Sequence, residues 1–407
     1  SLRADHCGFM GYGKETTPTL DGMARDGLSF EAAVAPGPST YESMPAIVTG
    51  EHMCSYPVGD GSDDVYDSRG DLIGLNTRRE TIAEWFARQG YDTAAFTTNP
   101  YTGSHTHFSR GFDHYEDFMG DGEGPWMRKA AEVPVLSELK HLVTLVRGDR
   151  ASKPWQDYYE DIVAWVEDAA EPYFLWVFLL DPHTPYLSPG TYRDGSSVEM
   201  YYRNWKLWAR KKWGIDLPLD RHSLRDLYDA TVRSSDAFLD SLQADLPGDP
   251  VIAVHSDHGE AFGEHGAFGH HGQVYEENLH VPFVVWNAGR TATVDRPVSL
   301  TSLATVLRGA ARETVKLPSP DHVLARTLGP RRIAVRDDDW KYIATTDPEA
   351  GRVTEEELYD LESDPGEREN RAGKEAERVE GYRQLVERRL SHERELSNIY
   401  RVVPGVG

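Results

Sequence analysis

Apolar residues in the first three quarters of the chain alternate between helical spacing and short continuous runs. Spacing of three and four residues is typical of helices, and short β-branched runs are typical of buried strands. Predicted helices are 17–26, 80–89 and 224–246, and predicted strands are 28–34, 91–97, 173–180, 251–256 and 281–286. Helices that alternate with buried strands indicate an α/β fold with a mostly parallel sheet covered on both faces.

The pattern changes after Pro297, where a helix at 300–308 precedes a hairpin at 331–346 and a charged helix at 372–394. We therefore expect a doubly wound α/β/α sandwich over residues 1–295 and a smaller C-terminal α+β subdomain over residues 296–407. Two stretches, about 120–170 and 190–221, fit the alternation poorly and are interpreted as helical insertions.

The second insertion contains an aromatic and basic segment at 201–213. One interpretation is a substrate-binding lid that stacks on sugars or attracts an anion. The favoured interpretation is an amphipathic helix that packs its tryptophans on the body of the protein.

The chain is strongly acidic, with a formal net charge of -24 from 43 basic and 67 acidic residues. Such a surface repels nucleic acids and anionic membranes on average, so we expect neither as a partner. Because arginine outnumbers lysine and the acidic residues are spread along the chain, we hypothesise adaptation to high salt. Only Cys7 and Cys54 occur, which excludes a disulfide framework and favours the cytoplasm. The longest apolar run, 173–180, is too short to cross a bilayer.

Chemically capable side chains follow two of the predicted strands. Asp257 and His258 end the run at 251–256, which is either a turn or half of a divalent-metal site. Asp181 and His183 follow the run at 173–180, where the histidine could serve as a general acid or the pair could form a rigid turn. His270 and His271 lie in a glycine-flanked loop after Asp257, and we expect one of them to face the site.

Ser39 and Thr40 begin a predicted helix that ends at Gly50. A hydroxyl at a helix N-terminus is either an ordinary cap or, next to a metal ion, an activated nucleophile.

Several longer segments carry a family resemblance, and they occur along nearly the whole chain. They are SLRADHCGFMGYG with TTPTLDGMARDGLSFE, the segment ending AIVTG, FTTNPY, RGFDHYEDF, DPHTPY, SDHGEAFGEHG, GHHGQVYEENLHVPFVV, WKYI and ELYDLESDPGERENRA. Together they resemble the sulfatase family of the alkaline phosphatase superfamily. The resemblance implies an alkaline phosphatase-like fold and a divalent ion, Ca, Mg, Mn or Zn.

The resemblance also implies roles for individual residues. Asp257 and His258 would be metal ligands, and Thr40 would be both ligand and nucleophile. His183 and His271 would contact the transferred group or its leaving oxygen, and Asn99 would contact a non-bridging oxygen. The number of metal ions, one or two, stays open: Asp181 and His270 are candidates for a second site by their ligand types, as are His183 and His271.

Two departures from the family pattern affect the expected chemistry. Most sulfatases carry Cys-x-Pro-Ser-Arg, whose first residue is oxidised to formylglycine, whereas Thr40 to Met44 occupy that register here. We therefore expect no formylglycine. The family's first acidic ligand normally precedes the segment that starts at Ser1, so we expect that ligand and the first strand to lie upstream.

The sequence thus predicts a metal-dependent hydrolase of phosphate or sulfate esters with a threonine nucleophile and a covalent intermediate. Its substrate would be an anionic ester, for instance on a glycan or a polar lipid head group. The alternatives are a phosphoglycerol-type transferase, a true sulfatase, or a non-catalytic relative that binds a glycan or a partner.

Overall fold

The computed structural model describes residues 1–52, 75, 79–118, 153–215, 217–270, 272–327, 332–347 and 352–402. The helices are α1 (Pro18–Asp26), α2 (Thr40–Thr49), α3 (Ile82–Arg88), α4 (Tyr159–Asp168), α5 (Ser197–Trp213), α6 (Arg221–Asp245), α7 (Glu276–Leu279), α8 (Leu303–Ala310) and α9 (Ala376–Val402). The strands are β1 (Leu28–Phe30), β2 (Ala33–Val34), β3 (Asp92–Thr97), β4 (His114–Glu116), β5 (Tyr173–Phe178), β6 (Ile252–His255), β7 (Ala261–Phe262), β8 (Phe268–Gly269), β9 (Phe283–Trp286), β10 (Ala292–Val294), β11 (Val298–Ser299), β12 (Val323–Arg326), β13 (Arg332–Arg336), β14 (Trp340–Asp347) and β15 (Arg352–Asp360).

The chain divides into two compact units, each with its own sheet. Unit 1 comprises Ser1–Ile82 and Pro247–Gly407, and unit 2 comprises Ala83–Leu246. No helix among the described residues is long and apolar enough to cross a membrane. The predicted boundary at residue 296 stays a prediction.

Unit 1 contains a mixed sheet in the order β10-β1-β9-β6. β1 pairs in parallel with β10, whereas β9 runs antiparallel to both β1 and β6. The predicted strand at 251–256 is therefore present as β6, but its partner in this sheet is antiparallel. The predicted strand at 28–34 is broken by a turn into β1 and β2, and β2 pairs in parallel with β11.

Unit 2 contains the parallel sheet that the alternating pattern predicts. Its strand order is β4-β3-β5, and both ladders are parallel. Helices α4 and α6 pack their apolar faces on β3 through a buried cluster that includes Phe96, Ile162, Phe238 and Leu242. The helix predicted at 224–246 and the strands predicted at 91–97 and 173–180 are confirmed by α6, β3 and β5.

The C-terminal part of unit 1 is an antiparallel sheet, β12-β13-β14-β15. The hairpin predicted at 331–346 is confirmed by the pairing of β13 with β14. Helix α9 buries Val386 and Leu390 against Val335, Tyr342 and Leu358 of the sheet. The apolar residues of this charged helix thus form a second core.

Buried ion pairs connect this C-terminal sheet to α7. Lys341 of β14 is 1% exposed, and its Nζ lies 3.0 Å from Glu276 Oε1 and 2.9 Å from Glu367 Oε1. Arg336 lies 2.6 Å from the other oxygen of Glu276. Burial opposes ionisation of Glu276, but Arg336 and Lys341 lower its pKa to about 2. Burial raises the pKa of Glu367 to about 7. Glu276, the first residue of α7, is therefore fixed by two cations, one of which it shares with the carboxyl group of Glu367.

Replacing Lys341 with methionine should destabilise the protein by about 3 kcal/mol or more, because it leaves two carboxyl groups buried without their shared cation. The loss should be larger at pH 8 than at pH 5. In the folded wild type the pKa of Glu276 lies below its value in the unfolded chain, so this carboxylate contributes stability at pH values above the unfolded pKa. Without Lys341 the pKa of Glu276 in the folded protein must rise. Protonation of the carboxylate then relieves more of the cost of burying it at pH 5 than at pH 8. Urea unfolding at both pH values measures the effect.

Lys374→Met is the matched control, because Lys374 is 71% exposed and its ionic partner among the described residues, Glu369, is exposed too. We expect a change of less than about 0.5 kcal/mol for this variant. Equal losses for the two variants would show that the buried cluster contributes nothing special.

Candidate active site

Thr40 is the first residue of α2, and the turn before it is held tightly. Ser39 is extended and precedes the helix. The Ser43 hydroxyl donates to Gly37 O at 2.8 Å and accepts from the Gly37 N–H at 3.0 Å. A Cβ atom at Gly37 would lie 2.9 Å from a backbone oxygen, so the turn needs glycine. Gly50, with φ of 75°, ends the helix as predicted.

Asp257 and His258 follow β6 in a buried turn. The Ser256 hydroxyl donates to His258 O at 2.8 Å and accepts from the Leu2 N–H at 2.7 Å. The His258 N–H donates to Asp257 Oδ1 at 3.0 Å. A Cβ atom at Gly259 would lie only 2.1 Å from Glu277 O. Glycine at this position therefore lets α7 approach the turn that carries the two side chains.

Thr40, Asp257 and His258 bring three donor atoms together, and we call this group the donor triangle. Thr40 Oγ1 lies 2.7 Å from Asp257 Oδ2 and 3.4 Å from His258 Nε2. Asp257 Oδ2 and His258 Nε2 are also 3.4 Å apart. The three residues are 5%, 3% and 0% exposed. Ligands about 2.1 Å from one metal ion lie roughly 3.0 to 3.4 Å apart. Two edges of the triangle match one face of a coordination shell, and the 2.7 Å hydrogen bond between Thr40 and Asp257 would have to lengthen by a few tenths of an ångström.

The protonation states of His258 and Asp257 suit ligands of a metal ion. His258 Nδ1 lies 2.8 Å from Gly259 O, so it carries the proton and leaves the Nε2 lone pair facing Thr40. Burial lowers the pKa of His258 well below its usual value. Burial acts to raise the pKa of Asp257, but the neighbouring His258 and the Thr40 hydroxyl lower it further. The site thus contains an anionic carboxylate and a neutral imidazole.

His270 and Glu260 lie next to the donor triangle. The His270 ring stacks on that of His258, with centroids 4.2 Å apart, and its Nδ1 lies 3.4 Å from Glu260 Oε2. Both residues are buried. His271, which the resemblance favoured as catalytic, lies outside the described residues. Glu260 was missed by the sequence analysis, and its position two residues after His258 was the only signal.

The remaining predicted site residues belong to unit 2. Asn99 is buried, and its Oδ1 accepts the Tyr101 N–H at 2.9 Å. The Ser234 hydroxyl donates to Asp181 at 3.4 Å, and His183 Nδ1 bonds the carbonyl of the next residue. Their roles in catalysis, and the pairing of Asp181 with His270 at a second metal, stay predictions.

Within the described residues, no three His, Cys, Asp or Glu side chains form a metal-binding group. The donor triangle has two such side chains and a threonine hydroxyl. A metal ion held there would depend on Thr40 as a ligand or on further donors.

Comparison with known proteins identifies relatives of this chain. A family model described as Sulfatase matches residues 1–311. Arylsulfatase K from Homo sapiens is 25% identical over 88% of this chain and 74% of that protein. The structure of a phosphonate monoester hydrolase of Agrobacterium radiobacter has a TM-score of 0.68 at 18% identity and covers 97% of this chain and 94% of that one. A structure in complex with its substrate D-glucosamine-2-N,6-O-disulfate has a TM-score of 0.66 at 15% identity, covering 97% and 96%. These likenesses confirm the predicted alkaline phosphatase-like α/β fold.

Replacing Gly259 with alanine should destabilise the protein by about 2 kcal/mol or more, because the added methyl group meets a backbone oxygen that cannot yield easily. Urea unfolding measures this change. In the control variant Gly373→Ala the new Cβ meets nothing within 4 Å, and stability should change by less than about 0.5 kcal/mol. Unchanged stability of Gly259→Ala would contradict the close approach of α7.

Proposed function

The chain belongs to the sulfatase family and is an ester hydrolase, and from this premise we propose that it cleaves phosphate esters in preference to sulfate esters through Thr40. The observation that carries the proposal is the donor triangle, in which the Thr40 hydroxyl lies within 3.4 Å of both Asp257 and His258. An ordinary helix cap would need neither neighbour.

The proposed nucleophile is well placed for an anionic substrate. Thr40 is the first residue of a ten-residue helix, whose N-terminal N–H groups favour negative charge. Its hydroxyl hydrogen points at Asp257 Oδ2, which gives the proton a path away from the attacking oxygen. Helix α2 holds the Thr40 hydroxyl and the turn after β6 holds the Asp257 carboxylate, and neither element relies on exposed side chains to do so.

The residues present fit a divalent metal ion, with Asp257, His258 and Thr40 as its protein ligands. Two hard oxygens and one imidazole nitrogen suit Mg, Mn, Ca or Zn to different degrees. A bound ion would polarise a non-bridging ester oxygen and lower the pKa of the Thr40 hydroxyl.

In the proposed reaction, Thr40 Oγ1 attacks the phosphorus atom in line with the leaving oxygen. The bond to Thr40 forms as the ester bond breaks, and a histidine donates a proton to the leaving oxygen, which departs as an alcohol. His183 and His271 are the candidates from the resemblance, and we add His270 because its buried ring lies on His258. Water then hydrolyses the Thr40 ester, so one ester and one water give one alcohol and one phosphate.

The choice of phosphorus over sulfur rests on Thr40. Its Cβ carries a methyl group, so oxidation would give a ketone and not the aldehyde of formylglycine. Met44 also stands where the family pattern has arginine. A true sulfatase is the second candidate, favoured by the arylsulfatase relatives. Transfer to an acceptor alcohol differs from hydrolysis only in the last step, in which an alcohol and not water attacks the Thr40 ester. A sulfated or phosphorylated glycan would suit each of these reactions.

Replacing Thr40 with valine should lower kcat/KM by at least about a thousandfold, because the shape is kept and the attacking oxygen is lost. Thr40→Ser keeps an oxygen at the same place and should retain measurable activity. Nitrophenyl phosphate, phosphonate, phosphodiester and sulfate are the substrates, and the wild type should prefer a phosphorus ester.

Thr49→Val, at the other end of α2, is the matched control and should stay within about threefold of wild type, since the bonds of its hydroxyl to described residues are with backbone groups. Substantial turnover by Thr40→Val would remove Thr40 as nucleophile. Faster sulfate cleavage by the wild type would overturn the preference for phosphorus.

Metal binding should stabilise the wild type by about 2.7 kcal/mol when the free ion is in hundredfold excess over its Kd. Asp257→Asn should lose most of this gain, because a neutral amide replaces the anionic ligand. Thermal unfolding with and without Mn or Zn measures it independently of activity. Asp249→Asn, an exposed surface change, should keep the full gain. Equal gains in both variants would place the ion elsewhere.

A further inference from the structure

Helix α5 buries in unit 2 the face that carries Met200 and Leu207, which lie roughly 20° apart around the helix. Ala209, on the opposite side, is buried as well. Asn204 is also buried, and its amide accepts the Tyr186 N–H at 2.8 Å and donates to Tyr186 O at 3.0 Å. The predicted helix is present as α5, but the residues buried on this face are not its tryptophans, and Trp213 is 46% exposed.

The other face exposes apolar side chains. Of the six large apolar residues that are exposed among the described residues, four lie on α5 or just after it: Val198 (79%), Tyr202 (56%), Trp213 (46%) and Ile215 (45%). At 3.6 residues per turn, Val198, Tyr202 and Trp213 fall within roughly 60° of one another. We call these four residues the apolar stripe. Exposed apolar side chains grouped in this way mark an interaction surface.

The charge around the apolar stripe is opposite to that of the protein. Residues 197–213 contain five basic residues and one acidic residue, whereas the whole chain has a net charge of -24. An anionic surface that repels most of this protein would attract α5. The partner that this helix fits is therefore anionic.

The stripe suits a lipid surface better than a sugar. Val198 and Ile215 carry no polar atom that could bond a hydroxyl group. Lys206 Nζ lies 5.1 Å from the centre of the Tyr202 ring and covers one of its faces, which reduces the aromatic surface open to a sugar. Tyrosine and tryptophan beside lysine are typical of helices that lie in a membrane interface.

We propose that α5 docks on an anionic membrane surface, with the apolar stripe inserted among the lipid head groups and Lys206, which flanks the stripe, facing their charges. The helix lies along the membrane and does not cross it. This mode of attachment is independent of the proposed ester chemistry.

Co-sedimentation of the full chain with vesicles tests the proposal. The vesicles are phosphatidylcholine alone or mixed with phosphatidylglycerol, at the lowest salt concentration in which circular dichroism shows the native fold. The wild type should bind the mixed vesicles at least about tenfold more tightly than the neutral ones. Tyr202→Ser with Trp213→Ser should reduce binding to the mixed vesicles by about tenfold. Lys206→Glu should weaken the preference for anionic lipid by at least about fivefold.

Val251→Ser and Lys316→Glu are the matched controls, because both residues are exposed and lie in unit 1, away from α5 in the sequence. Both should bind vesicles as the wild type does. No binding to mixed vesicles, or equal binding by the Tyr202 and Trp213 variant, would overturn the proposal. Binding of soluble dextran sulfate without vesicle binding would identify an anionic polysaccharide as the partner instead.

Discussion

The hydrogen bond from Thr40 Oγ1 to Asp257 Oδ2 joins residues 217 positions apart, and the candidate site depends on it. A buried carboxylate is costly unless its oxygens have partners. Here Asp257 accepts from the Thr40 hydroxyl and the His258 N–H. The same arrangement that makes the buried charge tolerable also aims three donor atoms at one another. The same hydrogen bonds therefore stabilise the buried carboxylate and arrange the site for chemistry.

The turn that carries Asp257 is held in place from a distance. The Gly259 and Glu260 N–H groups donate to carbonyls of Asn278 and Glu277, in α7, at 2.8 and 2.9 Å. The first residue of α7 is in turn fixed by Lys341 of the C-terminal sheet. The antiparallel sheet near the end of the chain thus acts on the site through backbone bonds and one buried cation.

The sequence predicted the elements well because each has a strong local signal. Continuous apolar runs gave β3, β5 and β9, and capping glycines gave the ends of α1 and α2. Strand direction could not be predicted in the same way, because the antiparallel pairing of β6 with β9 depends on contacts remote in sequence. The choice between His270 and His271 was equally hidden, since neighbouring residues of one type differ only in where the backbone turns them. Glu260 was missed because its burial against His270 is a tertiary effect.

Net charge sets a final constraint on the proposed chemistry. A protein with a charge of -24 repels an anionic ester on average, so the site must supply local attraction. The N-terminus of α2 and a divalent ion in the donor triangle would both do so. The proposed adaptation to high salt removes the remaining conflict, because at 1 M salt the Debye length is only about 3 Å and the distant acidic surface is screened. The same screening weakens attraction between α5 and anionic lipid. Under those conditions the apolar stripe would supply most of the docking energy, because burial of apolar surface is not weakened by salt.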